Sequence, residues 1–148
     1  MYVDALGLVC NAQAFVAAAV SVSSIDLGAS VPKREIGTGE PVGFGVAVDV
    51  AADCTTVKIE AIMATDEALT AGIVVLTERT HLAADLPAGA LKFVELPPGG
   101  PAAGWLRYIG IRATPAGGNA TVTLTSWLTS RSLFSVLAKP MAKGYTIS

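Results

Sequence analysis

Charged side chains make up only 15% of this 148-residue sequence, against about 25% in an average soluble domain. Its hydrophobic content of 52% rules out disorder of the whole chain. Histidine occurs once, at His81, which leaves no parts for a His-rich metal site and no spare imidazole for a Ser-His-acid relay. Cys10 and Cys54 lack the paired spacing of a metal clip and read as two small buried hydrophobes. Basic residues are not in excess: the net charge of −2 argues against general binding of nucleic-acid phosphates. The longest uncharged run, residues 5–25, contains Asn11, Gln13, Ser21, Ser23 and Ser24 and follows Asp4 with no basic residue upstream. Neither a membrane span nor a secretory signal fits it, so the product is expected to be made in the cytoplasm and to use no membrane.

Small and β-branched residues are what the chain has in quantity: 25 Ala, 16 Val, 15 Gly and 13 Thr. That mixture favours strands and tight turns. A mean hydropathy of +0.57 in such a chain points to surface that another protein covers. Residues 14–27 end in Val20 and Val22 and read as one strand emerging from an N-terminal arm. Pro32 to Pro41, with two prolines, two glycines and four charges, reads as an exposed loop. Val42, Phe44, Val46, Val48 and Val50 then alternate with Gly43, Gly45, Ala47 and Asp49, which predicts a central strand whose small face is closely approached. Val57, Ile59, Ala61 and Met63 alternate next, as the antiparallel neighbour of that strand. Short strands follow at 73–76 and 91–96, and two more, 105–113 and 120–128, read as a hairpin across Thr114-Pro-Ala-Gly-Gly-Asn119. Seven or eight strands without a convincing amphipathic helix give an all-β fold: a single β-sandwich, jelly-roll-like, over residues 13–129, with an N-terminal arm at 1–12 and a C-terminal arm at 130–148. The expected core is Phe44, Val46, Val48, Ile59, Leu124 and either Leu106 or Ile109.

Each candidate for chemistry has a plainer structural account. His81 stands near Glu78, Arg79 and Asp85 and reads as a loop residue, and nothing local activates Cys10 or Cys54 for attack with it. The acid pairs Asp66 with Glu67 and Asp49 with Asp53 raise glycoside hydrolysis, but the first sits where a turn wants solvated acids. Gly37-Thr-Gly39 and Gly43-Phe-Gly45 lead into a strand rather than a helix N-terminus, so no phosphate loop is expected. Trp105 and Trp127 suit a sugar-stacking platform or, more simply, a core or interface. No enzymatic activity, cofactor or metal is expected.

Charge is segregated along the chain. All twelve acids and five of the ten cations precede Leu96, whereas Arg107, Arg112, Arg131, Lys139 and Lys143 follow with no acid. This predicts a basic C-terminal segment docking on an acidic neighbour. Strand alternation is lost from Ser130 on, so Arg131, Leu133, Phe134, Leu137, Lys139, Met141, Lys143 and Tyr145 are the candidate contact residues for a partner or a second subunit.

Ala12-Gln13-Ala14, Ser24-Ile25-Asp26-Leu27-Gly28 and Ile36-Gly37-Thr38-Gly39-Glu40-Pro41, with Thr65-Asp66, Leu96-Pro97-Pro98-Gly99 and Trp105-Leu106-Arg107-Tyr108 in the same layout, give the chain a family likeness. It resembles the capsid cement proteins of Bordetella-type tailed bacteriophages over roughly residues 1 to 129. The resemblance implies a jelly-roll decoration protein that binds the outer surface of an icosahedral capsid, at contacts between major capsid protein subunits. It also implies a homo-oligomer, with a dimer favoured over a trimer. A carbohydrate-binding β-sandwich module on a virion or cell surface is the alternative.

Overall fold

A computed structural model describes residues 7–29, 40–98 and 100–135. Among the described residues nine antiparallel strands run β1 (Leu8–Phe15), β2 (Ala19–Val20), β3 (Ile25–Asp26), β4 (Val42–Asp53), β5 (Thr56–Ala64), β6 (Val74–Leu82), β7 (Leu91–Glu95), β8 (Tyr108–Ala116) and β9 (Thr121–Ser130). They form two sheets, β1-β9-β4-β7 and β2-β8-β5-β6, with β3 also on β8. We refer to them as the β4 sheet and the β5 sheet. With β2 and β3 as two pieces of one interrupted strand, the chain pairs from its ends inward. β1 joins β9, β2 and β3 join β8, β4 joins β7, and β5 joins β6. One long hairpin wrapped into two facing sheets is the jelly roll, and the all-β sandwich is the fold of this chain.

The alternation that marked the core operates as expected. Phe44, Val46, Ile59, Ile109 and Leu124 are fully buried and Val48 nearly so, while Leu106 only packs against the cluster from its rim. They meet Val57, Ala61, Met63, Ile111 and Val94 between the sheets.

Three local readings are corrected. Residues 14–27 are not one strand: β1 ends at Phe15, and Gln13 then holds the turn by donating to the Val20 carbonyl and accepting from the Val22 amide, both at 2.9 Å. Neither short connection is a hairpin. β4 and β5 lie in different sheets, as do β8 and β9, so each connection is a corner where the chain crosses the sandwich. The two corners pack on each other: Thr55 N donates to Ala116 O, Asn119 Nδ2 donates to Asp53 at 2.6 Å, and Gly117 takes a positive φ with Thr55 where a Cβ would be. The third correction concerns the boundary expected between residues 12 and 13, which falls inside β1, because Leu8 and Cys10 already pair with Trp127 and Ser126 of β9. Residues 1–6 of that expected arm lie outside the described residues.

Candidate functional site

β4 presents Gly43, Gly45 and Ala47 on the outer side of its sheet, and the close approach expected there comes from aromatic rings. Gly45 pairs with Trp127, which lies over it: a Cβ on Gly45 would come within 2.8 Å of the indole and 3.1 Å of the Phe134 ring. A Cβ on Gly43 would meet the Val94 carbonyl at 2.2 Å and the Phe93 ring at 2.9 Å. These glycines make a flat floor, and only without side chains there do the rings reach the backbone.

The C-terminal segment supplies the cover. β9 ends at Ser130, whose hydroxyl accepts from the Leu133 amide at 3.3 Å and so caps a helical turn over residues 131–135. That turn brings Phe134 to 5.2 Å from Phe93 and 6.4 Å from Trp127, centroid to centroid, in tilted contact. Each such pair contributes about 0.5–1.5 kcal/mol beyond the area it buries. Arg131 lies over the Phe93 ring at 5.0 Å and donates to Glu95 at 2.8 Å, and its amide donates to the Pro41 carbonyl. Ser132 hydrogen-bonds Glu40.

Of the candidate contact residues, the structure thus brings Arg131 and Phe134 onto the protein's own β4 sheet. Leu133 is on the same turn but 56% exposed. Leu137, Lys139, Met141, Lys143 and Tyr145 lie outside the described residues. Phe134, expected as a contact for a partner or a second subunit, instead fills the face above Gly45 of its own domain. Phe93, Glu95 and Trp127 belong to the site and were not singled out for it by sequence. The only signal was the row of small residues on β4.

The segregated charge also finds its partners at home. Arg107 makes a two-point bond to Asp26 (Nε and Nη2, both 2.9 Å), Arg112 binds Glu60 at 2.6 Å, and Arg131 binds Glu95. The acidic neighbour of these three late arginines is the first part of the same chain. The jelly roll makes this inevitable, since late strands lie beside early ones. Asp26 also accepts from the Gly28 amide, and β3 pairs Ile25 with Ile109 and Asp26 with Tyr108. The Ser24–Gly28 and Trp105–Tyr108 segments, remote in sequence, thus form one structural unit. Glu60 is almost wholly buried, and its bonds with Arg112 hold its carboxyl below the usual range against the opposing effect of burial.

Of the remaining candidates, His81 is not the loop residue expected but lies in β6, with its Nε2 buried and unpartnered, and the others are engaged as follows. Cys10 is free and buried, its thiol donating to the Leu124 carbonyl, and burial pushes its pKa up to about 12. Cys54 is free as well but only partly buried, so the reading as a buried hydrophobe describes Cys10 alone. Asp49 accepts from Thr125 at 2.6 Å, and Asp66 accepts from the Thr70 and Ala71 amides, each at 2.8 Å, so the turn reading of that acid describes what it does. Trp127 is 3% exposed and offers no open ring face, while Trp105 lies in the loop before β8 rather than in a strand. Among the described residues no three His, Cys, Asp or Glu gather as metal ligands, and no helix is long and apolar enough to cross a membrane.

No curated protein matches the chain. The Bbp16 family model matches residues 9–126, from β1 into β9, in keeping with a protein family of Bordetella phages. Since that span covers most of the sequence, the chain belongs to the Bbp16 family.

Proposed function

We propose that this chain is a non-enzymatic structural protein of the virion. It binds the outer surface of an icosahedral phage capsid and cements neighbouring major capsid protein subunits, acting as a homo-oligomer in which a dimer is favoured. Membership of a phage family supports the virion assignment. The observation that supports the cementing role is the place of the first and last described residues. Gly7 lies against Leu128 of β9, and the turn at 131–135 rests on Trp127 of the same strand. Both ends of the described fold therefore rest on the β4 sheet, and the sequence that follows carries Lys139 and Lys143. Two ends anchored on one strand suit a clasp across a seam between shell subunits.

A protein that binds only the assembled shell stabilises it by mass action, by about 2.7 kcal/mol per site when its free concentration is a hundred times Kd. The test is co-sedimentation with capsids stripped of this protein, followed by image reconstruction of the decorated particles. Saturable decoration that raises the disruption temperature is expected. A chain that stays in the supernatant, or that is retained on a glycan array instead, overturns the reading. Truncation after Ser135 leaves Phe134 in place and is expected to weaken attachment without unfolding the sandwich. Lys139→Glu with Lys143→Glu is expected to slow capture, as loss of long-range attraction does.

A further inference from the structure

The sandwich has four sheet edges, and three of them are blunted. β1 carries two register shifts, the β2 and β3 edge consists of two-residue pieces, and β7 is five residues long. β6 differs in length and regularity. It is a nine-residue strand paired only to β5, with no strand on its other side among the described residues; its one register shift, at Leu76, leaves Thr77–Leu82 regular, and it exposes Val74, Val75 and Leu82. An edge of this length presents a row of unpaired amides and carbonyls on which another strand can form.

The same edge holds the cations that the rest of the fold leaves over. Lys58, Arg107, Arg112 and Arg131 are ion-paired. Arg79 and Lys92 are the described arginine and lysine with no carboxylate in salt-bridge range. Both point toward the interior side of the open seam: Arg79 is in register with Ile59 of β5, and Lys92 with Val46 of β4. His81, in register with Val57, shares that side, and its Nε2 is buried without a hydrogen-bond partner. Asp85 is the one acid that acts on His81, and Glu78 stands on the opposite side of the strand, in register with Glu60.

We infer that the β6 edge, with Arg79, His81 and Lys92, is a docking site for an extended acidic segment of another polypeptide, added as a further strand of the β5 sheet. Such a strand gains main-chain hydrogen bonds along β6 and sets its inward side chains against the cations. Acids at alternate positions fit this side, and Glu78 disfavours acids on the other. A second copy of this chain is a poor occupant. Antiparallel β6 against β6 with continuous faces sets Arg79 opposite Arg79, Thr77 or His81, never opposite an acid. This inference goes beyond the shell-binding reading and does not depend on it.

The test titrates the isotope-labelled full chain with a nine-residue peptide alternating Thr and Asp, and follows backbone amides by NMR. Shifts confined to residues 74–82 and Lys92 are expected, weakened at least tenfold by Arg79→Glu with Lys92→Glu and reduced by salt. Arg79→Ala, at an exposed position that leaves the fold intact, is expected to give an intermediate loss. No shift at millimolar peptide, equal binding of the Thr-Lys counterpart, or unchanged binding by the folded double variant overturns the inference. So does inorganic phosphate that reproduces the same shifts, which marks a simple anion site. Concentration-dependent broadening of β6 in the free protein also overturns it, because a second copy then fills the edge.

Discussion

On the β4 sheet the outer face is covered by the turn that follows β9, and on the β5 sheet by the loop that follows β5. The β5 cover is Leu69, which is 1% exposed and packs over Ile62, Ala64 and Tyr108. Its floor is Gly110, where a Cβ would come within 2.5 Å of the Leu69 side chain. The loop is fixed at both ends: Thr65 N donates to Ala71 O, and Asp66 gathers the Thr70 hydroxyl with the Thr70 and Ala71 amides. That scaffold holds Leu69 at φ +57°, a left-handed conformation unfavourable for leucine. Phe134 covers a similar glycine floor at Gly45 and remains half-buried. The same device, a ring or aliphatic wedge on glycine, is therefore fully closed by a loop tied at both ends and left half-open by the turn after β9.

The comparison can be broken most severely at the loop. Leu69→Ala removes a fully buried leucine, so a loss of about 2–5 kcal/mol in urea-unfolding stability is expected. A loss below half a kcal/mol would mean that the β5 face needs no cover. Gly45→Val pushes a side chain into the space of Trp127 and Phe134, at an expected cost of about 1–3 kcal/mol. In a Trp105→Phe background, Trp127 fluorescence should become open to acrylamide quenching. Phe134→Ala should cost less, about 1 kcal/mol, because it removes two tilted ring contacts from a half-exposed site. It should open Trp127 to quenching just as Gly45→Val does while leaving the Leu69 methyl signals unmoved.

The smallest effect separates the two covers by pH. Hydrogen bonds from Thr70, then from the Ala71 and Thr70 amides, hold the Asp66 carboxyl below its ordinary pKa. A carboxyl lowered by folding contributes stability above its unfolded pKa of about 3.9, and that contribution is lost as pH falls through the folded value. The protection of amides in residues 65–72, taken relative to their intrinsic exchange rate at each pH, should therefore fall below about pH 4. In Asp66→Asn the loop should lose that pH dependence, and the Phe134 contacts should not respond in either protein.

The strands and the core were legible because alternation is a local property. Each of Phe44, Val46, Val48, Ile59 and Leu124 declares its side of a strand through its immediate neighbours. The candidate site was half legible. The small face of β4 announced a close approach and the loss of alternation after Ser130 announced a different role for the C-terminal segment, but nothing in either stretch says that one rests on the other. Short connections misled for the same reason. Cys54-Thr55 and the Gly117-Gly118 corner carry turn chemistry that serves a hairpin and a sheet crossing equally.

By itself, then, the sequence determined an all-β sandwich and the apolar inner faces of its strands, since these follow from side-chain period and solvation residue by residue. Only the tertiary structure decided which strands pair, that Asp26, Glu60 and Glu95 neutralise Arg107, Arg112 and Arg131, and that Phe134 turns back onto Gly45. It also left Arg79 and Lys92 as the described cations without an ion pair. Those outcomes join residues 36 to 89 positions apart, and a pairing at that distance is selected by the packing of the whole sandwich rather than by any segment's own preference.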